Sequence, residues 1–126
     1  MDAVDTNVLV RLVTGDDPVQ AARAEILVRN GVWVSHLVIA ETIWVLRSIY
    51  GRSPRQIADA IEMFLDNPNL AIQEAEVVAA ALTRFRSQPT LRFSDCLIVE
   101  IARKAGHLPL RAFDQNLAKL PDVERL

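Results

Sequence analysis

Two periodicities alternate along this chain, and that alternation limits its fold more than any other feature. Short runs of branched apolar residues, "DAV", "VWVS", "NPNLAIQ" and "LPLRAF", recur between longer segments whose apolar positions repeat every three to four residues. Strands separated by helices build a parallel sheet, because a helical crossover is what returns the chain to the same sheet edge. Such crossovers are right-handed and put helices on both faces. The pattern therefore predicts an α/β fold: a three-layer α/β/α sandwich around a central, mostly parallel sheet of four or five strands. At 126 residues the chain has the length of one domain, with enough core to need neither disulfide nor structural metal. A single domain over residues 1–126 is predicted.

Punctuation residues set the elements. Asp2 to Val4 reads as the first strand, and "TNVLVRLV" as a helix closed near Gly15, with Pro18 opening the next. That helix runs through "VQAARAEILVRN" to the Asn30-Gly31 cap, before "VWVS", a second strand of buried character. "HLVIAETIWVLRSIY" carries a wide apolar face up to Gly51, and Ser53-Pro54 supplies a cap and first residue for another helix. A third strand lies in "NPNLAIQ". The alanine-rich "EAEVVAAALTRF", Glu74 to Phe85, is a strong helix former broken by "SQPT". "SDCLIVEIARKAG" reads as a helix capped by Ser94 and stopped at Gly106. "LPLRAF" is a fourth strand, a short helix follows Asp114, and "VERL" is a last edge strand.

A formal net charge of -2 excludes the broad basic surface of a non-specific DNA binder. Arg52 with Arg55, and Arg84, Arg86 and Arg92, form either a local phosphate-facing patch or solvated helix faces. Cys96 is the sole cysteine, which rules out an internal disulfide or a thiolate zinc cluster and suits a reducing cytosol. The most apolar stretch, "LVIAETIWVL", is too short for a bilayer and is interrupted by Glu41, so a cytoplasmic protein without membrane partners is predicted.

Four acids stand out: Asp5 after the first strand, Glu41 inside a helix, Asp95 opening a late helix, and Asp114 after the fourth strand. Asp5, Asp95 and Asp114 each suit a helix start, where a carboxylate accepts backbone N–H groups. Parallel topology would also gather those starts at one sheet edge, beyond the carboxyl ends of the strands, where ligand sites lie. Three anions there would repel unless something positive sat between them. Glu41 has apolar neighbours one turn away, Leu37, Val38, Trp44 and Val45, and so reads as partly desolvated. It needs a partner: an arginine such as Arg47 or Arg11, a proton, or a metal. Oxygen-only ligands of high charge select Mg²⁺ or Mn²⁺ over zinc. His36 and His107 stand in no metal-binding spacing and read as helix-start or turn residues. Carboxylates holding such ions are a machinery of phosphodiester hydrolysis that requires no histidine or serine nucleophile.

With these residues placed, the chain resembles the PIN-domain ribonucleases and, in size and layout, the VapC toxins of bacterial toxin-antitoxin pairs. The resemblance rests on "VDTNVLVRL", "VIAETIWVL", "RFSDCLIVEIARKAG" and "FDQNLAKL", in family order over nearly the whole chain. It implies that Asp5, Glu41, Asp95 and Asp114 are the catalytic, metal-binding acids. Thr6 or Asn7 would shape the first turn, and Ser94 would bond to a metal-bound water. It further implies a Mg²⁺- or Mn²⁺-dependent endoribonuclease, usually a homodimer, acting on RNA and inhibited by a cognate antitoxin. Two positions depart from the pattern: Ala112 replaces a frequent threonine, and Asn116 stands where some members carry another acid. Both weaken a second metal position and imply one firm site and one that fills with substrate.

The rivals lack parts. A haloacid dehalogenase-type phosphatase needs an acid two places after the first aspartate, where this chain has Asn7, and a receiver domain needs a strand-end lysine that Lys104 and Lys119 do not supply. A catalytically weak RNA-binding or scaffold protein of the same fold is the alternative from another class. The apolar faces of "LVIAETIWVL" and "IADAIEMFL", with Trp44 and Phe64, are either ordinary core or surface for a dimer and a partner helix.

Overall fold

Glycine, proline and capping side chains divide the polypeptide much as they do on paper. The computed structural model describes residues 1–126, which form two units, Met1–Ala75 and Glu76–Leu126. In the first unit β1 (Asp2–Ala3) leads into α1 (Thr6–Thr14), which stops at Gly15. Gly15 adopts φ +60°, a left-handed conformation, and its N–H returns to the Arg11 carbonyl at 2.9 Å. Asp17 caps α2 (Pro18–Arg29) through the Gln20 N–H, with Pro18 at the first position. β2 (Val32–Val34) precedes α3 (His36–Ser48), which Ser35 caps through the Val38 N–H. Ser53 and Gln56 close a reciprocal capping box at the start of α4 (Pro54–Asp66), and β3 (Leu70–Ile72) completes the unit.

β1, β2 and β3 pair in parallel in that order, with Ala3, Trp33 and Ala71 in one row. Val4 extends the first ladder by donating its N–H to the Trp33 carbonyl. α1 packs against α2 and α3, and Leu9, Ile39, Leu46 and Ile61 are fully buried in this unit. Each such side chain contributes roughly 1.5–3 kcal/mol of transfer free energy. Tyr50, just beyond α3, donates its hydroxyl to Asp16 in the α1–α2 turn. Arg11 bonds to Asp16, Gln20 and the Tyr50 oxygen, so one polar cluster fastens that turn.

The second unit holds α5 (Ala75–Ser87), α6 (Phe93–Ala105), β4 (Leu110–Ala112), a 3₁₀ turn (Leu117–Lys119) and β5 (Val123–Arg125). β4 and β5 pair in parallel. Phe85 and Phe93 meet edge to face, with centroids 6.0 Å apart. A charged network joins the helices to the segment before β5. Arg84 of α5 donates to Glu100 of α6 and, at 2.7 Å, to Asp122; Arg103 also donates to Asp122 and stands 3.4 Å from the other Glu100 oxygen. Glu100 is almost wholly buried, so its charge depends on these guanidinium groups.

The α/β class, the six helices and the parallel strands are those read from the sequence. Three details differ. The five strands hydrogen-bond as two sheets, three strands and two, rather than as one. α6 begins at Phe93 with Arg92 in the cap position, so Ser94 lies inside the first turn and is not its cap. In β2 only Val32 and Val34 are buried; Trp33 points to the other face and is 40% exposed, because alternation in so short a strand gives its middle residue the opposite side.

Candidate metal-binding site

In the first unit, Glu41 is bonded to Thr6, the residue that follows Asp5. Asp5 follows β1 at its carboxyl end and occupies the cap position of α1, yet its side chain accepts no helix N–H. The carboxylate is exposed and uncommitted. The next residue, Thr6, donates its hydroxyl to Glu41 Oε2 at 2.7 Å. That bond ties the middle of α3 to the first turn of α1 and sets the Glu41 carboxylate beside the residue that follows Asp5.

The environment of Glu41 corrects the sequence reading. Glu41 is exposed rather than desolvated, because Leu37 and Trp44, one turn to either side, are themselves 68% and 62% exposed. The buried face of α3 is instead Ile39, Thr42, Ile43 and Leu46. Neither Arg11 nor Arg47 pairs with Glu41: Arg11 is engaged with Asp16, Gln20 and Tyr50, and Arg47 makes no ion pair.

The second unit brings the other two acids into electrostatic contact. Asp95 sits in the first turn of α6, half-buried. Burial pushes its carboxyl above the ordinary value of 3.8, the Arg92 guanidinium works against that rise, and the charge of Asp114 adds to it. Asp114 follows β4 and accepts the N–H groups of Asn116 and Leu117 at 2.8 and 3.1 Å. Acceptance of backbone N–H groups therefore holds for Asp114, in the turn ahead of Asn116 at the 3₁₀ cap position, and is absent for Asp5.

The supporting residues divide in the same way. Asn7 is exposed on α1 and lines a cleft of about 220 Å³ with Val8, Arg11, Gln20, Arg23, Ala24 and Leu27. Ser94 is half-buried next to Asp95, and Asn116 contributes its backbone N–H to Asp114 while its side chain is exposed. His36 opens α3, as its position in the sequence indicated, and its Nε2 is buried without a hydrogen-bond partner. The sequence places Arg92 only in a basic patch; in the structure it stands at the cap position of α6, three residues before Asp95, and its charge acts on that carboxylate.

As a donor set these acids fit a hard divalent cation. All are carboxylates, only Asp114 of the four accepts backbone N–H groups, and Asp95 lies where negative charge is disfavoured by burial and by a second anion. In neither unit do three or more His, Cys, Asp or Glu side chains converge on a metal position. Mg²⁺ keeps several of its waters and is usually held by one or two carboxylates together with substrate phosphate, so a pair of acids suffices for it.

Strands that end at carboxylates, helices that start beyond them and parallel pairing throughout define an α/β protein whose candidate site lies past the carboxyl ends of its strands. The chain belongs to the PIN-domain family: the PIN domain model matches residues 3–123, a span containing all four acids. No curated protein matches it significantly. Among solved structures, Mycobacterium tuberculosis VapC20, a sarcin-ricin loop cleaving toxin, is 21% identical, covers 98% of both chains and superposes with a TM-score of 0.45.

Proposed function

We propose that this PIN-domain protein is a Mg²⁺- or Mn²⁺-dependent endoribonuclease and the toxin of a toxin-antitoxin pair, with Asp5, Glu41, Asp95 and Asp114 as its metal-binding acids. The supporting observation is the bond from Thr6 to Glu41. It holds a carboxylate from the middle of α3 against the residue that follows Asp5, an aspartate at a helix cap position that does not cap, and no cation of the protein neutralises either acid.

When bound, the metal activates water and neutralises charge on the phosphate in flight. The chain does the positioning. Thr6 restricts the Glu41 carboxylate to one orientation, and the Asn116 and Leu117 N–H groups fix that of Asp114. Arg92 offsets part of the cost of an ionised Asp95. Ser94, Asn7 and Asn116 are supporting residues in the same proposal.

A cognate antitoxin and a second copy of the chain complete the reading. Val19 and Ile26 on α2 are 64% and 60% exposed, and the cleft between α1 and α2 lies on the same helix, a surface suited to an antitoxin segment. Phe64 is core, whereas Met63 beside it is exposed. No helix is long and apolar enough to cross a membrane, and the proposed setting is the cytoplasm.

The test is incubation of the purified protein with a panel of structured RNAs in Mn²⁺, Mg²⁺ or chelator, beside Asp5→Asn. Cleavage in metal alone, lost in the variant, is the expected result. Cleavage that persists in chelator or in Asp5→Asn refutes the mechanism, and metal binding without any cleavage favours the catalytically weak RNA-binding alternative.

A further inference from the structure

Three exposed side chains of different chemistry follow one another along α3 at a spacing of three: Glu41, Trp44 and Arg47. Residues so spaced are surface neighbours on a helix, with Cβ atoms about 5–6 Å apart. Trp44 takes no part in the core, since Ile39, Thr42, Ile43 and Leu46 already form the buried face. Its ring is 62% exposed and stacks on no other aromatic. Arg47 is exposed and makes no ion pair or hydrogen bond, although acids are slightly in excess over bases in the chain. Glu41 at the head of the row is the carboxylate held by Thr6.

A carboxylate that would hold metal, a flat indole and a free guanidinium, in that order, match the repeating parts of a single strand: phosphodiester, base, next phosphate. We propose that Trp44 is a stacking platform for a base of single-stranded RNA and that Arg47 meets the adjacent phosphate. The inference rests on the nuclease reading of Asp5 and Glu41 for its direction along α3. It also accounts for how a chain of net charge -2 would hold a polyanion: stacking supplies affinity that the surface charge does not. Every base has a π face, so Trp44 sets where the strand lies and not which base is chosen.

The test uses the full chain carrying Trp33→Phe, in which Trp44 is the sole indole. It is titrated in Mg²⁺ with short oligo(A) and oligo(U) RNA while indole emission, the anisotropy of labelled RNA and RNA integrity on a gel are followed. Saturable quenching is expected with both RNAs. Trp44→Ala is expected to weaken binding about 5- to 150-fold, the range for loss of one stacked base, and Trp44→Phe to retain most of it. Unquenched emission, or Trp44→Ala binding as tightly as the native residue, overturns the proposal. So does sedimentation showing a dimer that Trp44→Ala dissociates while RNA leaves the emission unchanged, since a second copy then covers the indole. Quenching here with no metal-dependent cleavage of the structured RNA panel refutes the nuclease reading and leaves the platform standing; cleavage of that panel without quenching here does the reverse.

Discussion

Replacing Arg84 with methionine removes one cation from the α5–α6 network while keeping much of the side-chain volume, and so isolates the electrostatic part of that contact. The Glu100 side chain is only 7% exposed and that of Arg84 17%, so water screens the pair poorly. Removing one partner of a buried pair costs about 3–5 kcal/mol, because the remaining charge is left desolvated. Arg103 stays 3.4 Å from Glu100 and still bonds to Asp122, which places the loss at the lower end, about 3 kcal/mol or roughly a hundredfold in the folded-to-unfolded ratio. The control is built into the same unit. Arg111 and Glu124 face each other across β4 and β5 at 3.0 Å, but their side chains are 59% and 57% exposed. Arg111→Ala should therefore change stability by no more than about 0.5 kcal/mol. Urea unfolding of both variants at pH 7 reads the two values directly. An Arg84→Met loss under about 1 kcal/mol, or one matching that of Arg111→Ala, would refute the claim that burial gives this network its strength.

Other outcomes follow from single contacts. Ser53→Ala removes half of the α4 capping box and should cost about 1 kcal/mol, read as a lower thermal midpoint, whereas Ser53→Gly costs only a few tenths. The Tyr50 hydroxyl, then Thr14 and Arg11, hold Asp16 below its ordinary value of 3.8. The stability this contributes is complete above 3.8 and is lost as pH falls through the depressed native value. Tyr50→Phe should accordingly melt earlier than the native chain at pH 7, with the deficit shrinking in melts taken below pH 3.8. Burial first, and then the Asp95 charge, push the Cys96 thiol up to about 11. Iodoacetamide at pH 8 should leave it unmodified in the folded protein and alkylate it in denaturant.

Most of the architecture is legible in the sequence because its boundaries are local chemistry. Gly15, Pro18, the Asn30-Gly31 pair and Ser53-Pro54 stop or start helices through their own backbone geometry and hydrogen bonds, and no distant residue is needed to recognise them. Burial on α3 is not local in that sense. Apolar residues nearly surround the helix, so its pattern offers no single direction for the core, and Glu41 reads as enclosed where Leu37 and Trp44 in fact face outward. Glu100 is the reverse case: it lies on the buried face of α6 with Phe93, Cys96, Leu97 and Val99, and its burial was not read from the sequence. Its partner Arg84 was not legible, since nothing in the spacing of residues 84, 100 and 122 reports that they meet. The family order of the four acids is visible in the sequence. That Asp114 accepts backbone N–H groups while Asp5 does not depends on the path of each turn.

The ladders themselves are brief: β1 contributes two residues and each other strand three. A template that short offers a neighbouring molecule few amides to copy, and the β1 edge is headed by the exposed Asp2. Pro109, directly before β4, removes one more donor at the start of that strand. Whatever association the chain undergoes would arise through helices and not by lengthening a sheet.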